Sequence, residues 1–357
     1  MHIVFLLPGH GKKPIGGHKI VYQYANLFVE EGYAVTIIYG ASGLFKKDRL
    51  KDKFKSVLRY VYFKITGDYK PYKWFNLDKK IKIFFHWNHK EKIKTKGDIY
   101  ICTSIETAFF LNEYECDISK KNYFIQGNED WKWSHEMVIE SYKFKMNKIV
   151  ISNWLKELVE KNNEKATLVQ NGFDFETFNL DIPIEKRKNT DVIMLFHTSV
   201  NKGVDKGFQA LEIVKREVPD LKVTLFGTFK KPDNLADWYS YYQMPEKEEL
   251  RKLYNSSSVF IGPSIEEGWG LTVGESMQCG CAVACTDNKG FQAMAIHEKT
   301  ALVSPVRDIE TMAKQIIQLV TDNQLRFRIA QNGYKHIQNF DVKASYQQFK
   351  NSILKND

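Results

Sequence analysis

Nowhere in its 357 residues does the sequence hold an apolar run long enough to cross a bilayer, so no spanning helix is expected. Paired C-x-x-C motifs are absent too. The five cysteines, Cys102, Cys116, Cys279, Cys281 and Cys285, form an odd, unevenly spread set. That argues against a disulfide framework and for a reducing compartment. Three of them sit in QCGCAVACTD, where alternation with Ala and Val reads as a buried strand. With no fourth ligand and no zinc spacing, packing is the expected role and no metal site is expected. The opening MHIVFLLPGHG lacks a basic n-region and reads as a strand running into a loop, so no export signal is expected and the cytoplasm is the expected location. No D-x-D triplet occurs. The glycines at 9, 11, 16 and 17 do not form a G-x-G-x-x-G after the first strand, which counts against an NAD-dependent oxidoreductase.

What charge there is lies unevenly. The net formal charge is +9, yet residues 45–96 alone carry 17 Lys or Arg against 5 Asp or Glu. The remainder is therefore slightly acidic. Interleaved with these lysines are Tyr60, Tyr62, Phe63, Tyr72, Trp74, Phe75, Phe84, Phe85 and Trp87. No nucleic-acid motif accompanies the segment, so nucleic acid is not an expected partner. Two readings stand: a solvated basic face, or a surface that meets anionic lipid, where basic side chains and aromatic rings both gain. Lys46, Lys47, Lys51, Lys53 and Lys55 would lead the second.

At this length, two α/β units are the natural expectation. Strand-length apolar runs alternate with amphipathic stretches, the pattern of parallel sheets covered by helices. The first half offers strands at 2–8, 33–40, 98–103, 122–126 and 148–152, with a helix between the first two that Gly32 closes. Residues 171–187 lose that period and read as a linker. The pattern restarts with strands at 191–199, 221–227, 258–263, 281–286 and 301–305. Expected boundaries are 1–175 and 176–338 for two Rossmann-like domains facing each other across a cleft. A closing helix in 339–357 is expected to pack back on the first domain.

The most informative stretch is PSIEEGWGLTVGESMQCGCAVA, residues 263–284. A strand ends at Pro263, a loop with Gly268 and Gly270 follows, and a helix is expected from about Thr272. Ligands of open parallel sheets bind at the carboxyl ends of strands, where glycines let backbone N–H groups and a helix N-terminus approach an anion. Glu267 and Glu275, with seven residues between them, flank that opening. Ionised carboxylates accept hydrogen bonds from sugar hydroxyls. The plainer alternative makes Glu267 a solvated loop acid and Glu275 a helix-start acid.

This stretch resembles the signature of glycosyltransferase family 4, retaining enzymes of GT-B fold. The resemblance rests on Pro263, Ser264, Glu267, Gly268, Trp269, Gly270, Leu271, Glu275, Met277 and Gly280, with Trp269 where phenylalanine is usual. It implies that Glu267 holds the donor sugar, Glu275 the ribose, and Thr272 with nearby amides the diphosphate. FHTSVNKGVDKGFQAL looks like the phosphate-binding segment, with Lys202 matching its lysine and His197 standing where an arginine is usual. Gly16 and Gly17 match the glycine pair before the first helix. Gln126 stands where many members carry histidine, so it can bond a hydroxyl but cannot act as a base; His135 or Glu129 would have to substitute. The wording FIQGNEDW is similar to a subset that includes polysaccharide rhamnosyltransferases.

The resemblance implies transfer of a sugar from a nucleoside-diphosphate sugar to a glycan or lipid-linked acceptor, with no cofactor. Metal independence is expected, since Lys202 and helix-end amides can stand in for a cation on the diphosphate. Peripheral attachment to the inner face of the membrane through residues 45–96 would accompany it. A non-catalytic sugar-nucleotide-binding relative is the alternative that His197 and Gln126 keep open.

Overall fold

The computed structural model describes residues 1–40, 50–87 and 96–354, excluding the side chains of 50–53 and 56. The chain divides into two compact units, Met1–Asn171 with Lys343–Asp357, and Gly172–Val342.

In the first unit the strands are β1 (His2–Pro8), β2 (Ala34–Gly40), β3 (Lys82–His86), β4 (Ile99–Cys102), β5 (Lys121–Ile125), β6 (Asn147–Val150) and β7 (Thr167–Leu168). All pair in parallel, in the order β3-β2-β1-β4-β5-β6-β7. Helices α1 (Gly16–Glu30), α2 (Leu50–Thr66), α3 (Ile105–Glu113), α4 (His135–Tyr142) and α5 (Asn153–Glu160) connect them. A parallel strand covered on both faces needs a continuous apolar run, and Ile3, Val4, Phe5, Leu6 and Leu7 are all fully buried.

The second unit repeats the plan with β8 (Asp191–Leu195), β9 (Lys222–Gly227), β10 (Tyr239–Gln243), β11 (Val259–Gly262), β12 (Ala282–Thr286) and β13 (Leu302–Ser304). Its sheet is likewise parallel, ordered β10-β9-β8-β11-β12-β13. Between the strands run α6 (Val204–Glu217), α7 (Lys247–Ser256), α8 (Leu271–Gln278), α9 (Ile309–Thr321) and α10 (Asn323–Ile337). Its core joins Met194, Leu225 and Ile261 from the sheet to Leu211 of α6 and Ile316 of α9. Strand order reverses between β1 and β4 in one unit and between β8 and β11 in the other. Such reversals open a crevice at the carboxyl ends of the strands.

The last helix, α11 (Val342–Leu354), completes the first unit's core. Tyr346 lies edge-on to Phe28 at 4.8 Å, and Phe349 lies 4.9 Å from Tyr24 and 4.8 Å from Phe124. Burying two such rings contributes about 3–6 kcal/mol.

Several particulars differ from the sequence reading. β8 stops at Leu195, not 199, because the His197 ring accepts the Ser199 N–H at 2.9 Å and turns the chain. β3, β7 and β10 were not expected; β3 and β10 are half-exposed edge strands and β7 has only two residues. Residues 171–187 do carry the chain between the units, but from Gly172 onward they pack into the second. Arg187 is 7% exposed, and its guanidinium donates to the carbonyls of Ile182 (2.8 Å), Ser257 (3.1 Å) and Cys279, and to Asn255 Oδ1 at 3.3 Å.

Cys279, Cys281 and Cys285 are buried, and burial pushes the Cys281 thiol up to about 11. Of the aromatics in the basic segment, Phe63, Phe75 and Phe85 belong to the core, whereas Tyr62, Tyr72 and Phe84 are exposed. Lys46 and Lys47 lie outside the described residues, as do the side chains of Lys51 and Lys53.

Candidate functional site

At the second unit's strand reversal, the loop after β8 and the loop after β11 are bonded to each other. Asn201 O accepts the N–H groups of Ile265 at 2.7 Å and Glu266 at 3.2 Å. Gly203 allows this approach. Its backbone is left-handed (φ +57°), and a Cβ there would lie 2.1 Å from the Pro263 carbonyl oxygen. The consequence is a contact between residues 65 apart: Lys202 Nζ donates to both carboxylate oxygens of Glu267, at 2.7 and 2.8 Å. The Ser264 hydroxyl donates to the same carboxylate at 2.9 Å. Half-buried, the pair is only partly screened by water; its side chains are 27% and 12% exposed.

Beside it begins α8. Gly270 takes φ +96° at the N-cap, where a side chain would meet the Phe291 ring at 2.4 Å. No side chain caps this helix, and half-buried Leu271 and Thr272 form its first turn. Unsatisfied N–H groups and the dipole make such an end favourable to an anion. Glu275 is buried further along α8 and accepts the Tyr254 hydroxyl of α7 at 3.4 Å. Half-buried Gly268 lies between Glu267 and the helix. Trp269 is 3% exposed with its ring edge-on to Phe340 at 5.6 Å, so the structure gives it a packing role. The imidazole of His197 packs edge-on against Phe229. Burial first, then the Lys202 charge, lowers its pKa, which favours the neutral ring.

In the first unit, the sequence-derived residues Gly17 and Gln126 are brought together. A Cβ on Gly17 would lie 3.2 Å from Gln126 Nε2, so Gly16 and Gly17 start α1 against the end of β5. Among the described residues the buried Gln126 Oε1 has no hydrogen-bond partner, nor has His18 Nδ1. Burial pulls the His18 imidazole down to about 3 and keeps it neutral. Groups left in this state cost free energy unless something bonds them.

Glu129 and His135 stand in different settings. His135 is the exposed first residue of α4. Glu129, at φ +56°, accepts the Ile105 N–H at 3.2 Å and so caps α3. Burial pushes its carboxyl up to about 7, against the opposing pull of Lys132. A carboxyl whose pKa rises on folding binds more protons folded than unfolded, so its penalty is absent below its unfolded value near 4.5, grows as pH climbs from there to about 7, and is constant above. Glu129→Gln keeps an acceptor for the cap without the charge. The variant should therefore be more stable than the parent by about 2–3 kcal/mol at pH 8 and nearly equal to it at pH 4. Thermal midpoints at the two pH values check this; an equal gap at both would refute it.

Sequence reasoning missed Tyr254 as a partner of Glu275, and Thr286 and Asn288, which both donate to Ser264 O and hold the loop. No local pattern marks them, because each acts across the fold.

Comparison with known proteins bears on family and fold. Residues 177–336 match the family model described as glycosyl transferases group 1. A Bacillus subtilis protein described as the uncharacterized glycosyltransferase YqgM is 24% identical over 58% of this chain and 62% of its own length. The capsular polysaccharide biosynthesis glycosyltransferase CapM of Staphylococcus aureus is 24% identical over 54% of each chain. The matches thus span somewhat over half the length of these curated relatives. Among solved structures, Anabaena HepE in complex with UDP-glucose superposes with a TM-score of 0.75 at 14% identity, covering 99% of this chain and 100% of that one. A Thermosynechococcus elongatus sucrose-phosphate synthase gives 0.72 at 15%, over 98% and 97%. The match to the group 1 glycosyltransferase model lies within the second unit, and the fold is GT-B.

Proposed function

We propose that the protein is a retaining glycosyltransferase that moves a sugar from a nucleoside-diphosphate sugar to a glycan or lipid-linked acceptor in surface polysaccharide synthesis. The supporting observation is the Lys202–Glu267 ion pair at the β8/β11 reversal, beside the uncapped start of α8. A diphosphate entering there meets Lys202 and the helix amides. It draws the ammonium from Glu267, whose oxygens become acceptors for sugar hydroxyls. Glu275 serves the ribose. As the bond from C1 to the diphosphate oxygen breaks, the acceptor hydroxyl forms the new C1–O bond on the same face, and its proton passes to the departing diphosphate. Lys202 and α8 stabilise the growing negative charge without a divalent cation, and neutral His197 lines the phosphate loop.

UDP-glucose is the first donor to try, since a structural neighbour is described in complex with it. Transfer or donor hydrolysis should persist in excess EDTA. Loss on chelation, restored by manganese or magnesium, would overturn the metal-free scheme, and no turnover of any nucleotide sugar would favour a non-catalytic binding relative.

Replacing Lys202 with alanine should weaken nucleoside-diphosphate binding by about 10- to 150-fold, the loss expected for a charge-assisted contact worth about 1.5–3 kcal/mol. Calorimetry with UDP reads it directly, and unchanged affinity would show that the phosphate lies elsewhere.

A further inference from the structure

The chain leaving β12 grips the loop that carries Glu267 along its whole length. Asn288, 3% exposed, donates from Nδ2 to the Ser264 carbonyl at 3.3 Å and to Thr286 Oγ1 at 3.0 Å, and the Thr286 hydroxyl donates to that same carbonyl. Two residues on, a Cβ at buried Gly290 would lie 2.3 Å from the Glu267 carbonyl oxygen and 2.7 Å from its Cβ. Only a missing side chain lets the two backbones meet there. Phe291 then lies against Gly270, at the start of α8. Asp287 and Lys289, which alternate with Asn288 and Gly290, are exposed.

The grip reaches the carboxylate through one hydroxyl. Ser264 has a single O–H to give, and gives it to Glu267 Oε1 at 2.9 Å, while its own carbonyl is fixed by the donors from Thr286 and Asn288. The Asn288 amide is spent on this task. Its Oδ1 is buried and, among the described residues, has no hydrogen-bond partner. A half-satisfied buried amide costs free energy, which a residue kept only for packing would avoid by being apolar. Turned over, the amide would set its oxygen against the Ser264 carbonyl, two acceptors face to face.

We propose that Asn288 is a positioning residue for Glu267, acting through the Ser264 hydroxyl, and that this hold matters most once a donor is bound. In the free chain Lys202 also fixes the carboxylate, since it bonds both oxygens. On the transferase reading, on which this inference rests, the diphosphate draws Lys202 away. The hydrogen bonds from Lys202 are then lost and the one from Ser264 remains. It keeps the freed carboxylate aimed at the sugar, where misplacement by about 1 Å can cost on the order of 100-fold in rate.

The test assays Asn288→Ala and Ser264→Ala with the nucleotide sugar that the parent turns over, and titrates each with UDP by calorimetry. Each should lower kcat about 10- to 100-fold, while UDP affinity stays within about twofold of the parent's. The double substitution should be no worse than the worse single one. Neither should reduce the residual rate of Glu267→Ala any further, because both act by way of that carboxylate. A merely structural role would lower rate and UDP affinity together and would add to the Glu267→Ala loss; either result overturns the inference. So does a kcat within about twofold of the parent's for Ser264→Ala, which removes one oxygen atom and decides the matter should Asn288→Ala fail to fold. If Glu267→Ala loses activity and these variants keep it, the transferase reading stands without the positioning role. A parent that turns over no nucleotide sugar, or a Glu267→Ala variant that keeps the parental rate, removes both.

Discussion

With Glu267 changed to alanine, sugar transfer is expected to fall about 100- to 1000-fold, the loss of roughly 2.7–4 kcal/mol seen when one preorganised transition-state contact is removed. The fold should hardly notice. Lys202 is partly exposed and can take up water when its partner is gone, so the stability cost should stay under about 1 kcal/mol. A second readout distinguishes this role from a structural one. Freed from Glu267, Lys202 no longer has to exchange one anion for another, so UDP affinity should be unchanged or tighter while kcat collapses. Retention of more than about a tenth of the parental rate would sink the assignment.

The largest stability effect is expected at Arg187. Its guanidinium satisfies carbonyls from three separate segments, at Ile182, at Ser257 and at Cys279, and is buried with them. Alanine there strands those carbonyls and should cost about 3–5 kcal/mol. Lysine should recover little, because a single ammonium cannot reach acceptors spread around a planar fork. Urea unfolding of the second unit would show it. A shift below about 1 kcal/mol would mean that water replaces the guanidinium at no great cost.

What the sequence makes legible follows from where the information is local. Continuous apolar runs such as Ile3 to Leu7 mark strands covered on both faces, and glycines at 268 and 270 beside Glu267 mark the loop between β11 and α8. Edge strands carry a weaker signal. In KIFFH and YSYYQ the residues are half exposed and polar neighbours interrupt the pattern, so β3 and β10 pass unseen. Pairings over long separations are hidden altogether. Lys202 and Glu267 are each singled out by the sequence, in separate motifs, but only the bonded loops show that they neutralise each other. Trp269 shows the converse. It stands in the motif where phenylalanine is usual, and the fold turns its ring against Phe340. Glu129 is similar: an acid three residues after Gln126 reads as a substitute base, while the fold uses it to cap the start of α3.

Because α11 supplies Tyr346 and Phe349 to the first unit, the order in which the chain is made differs from the order in which its parts can be finished. A chain emerging from the ribosome reaches Asn171 with the hydrophobic faces of Tyr24, Phe28 and Phe124 still waiting for their cover. The second unit, contiguous from Gly172 to Val342, has all its own strands before that cover arrives. The half that is begun first is thus completed last, and a truncation just after residue 342 removes a wall of the opening half rather than a tail of the closing one.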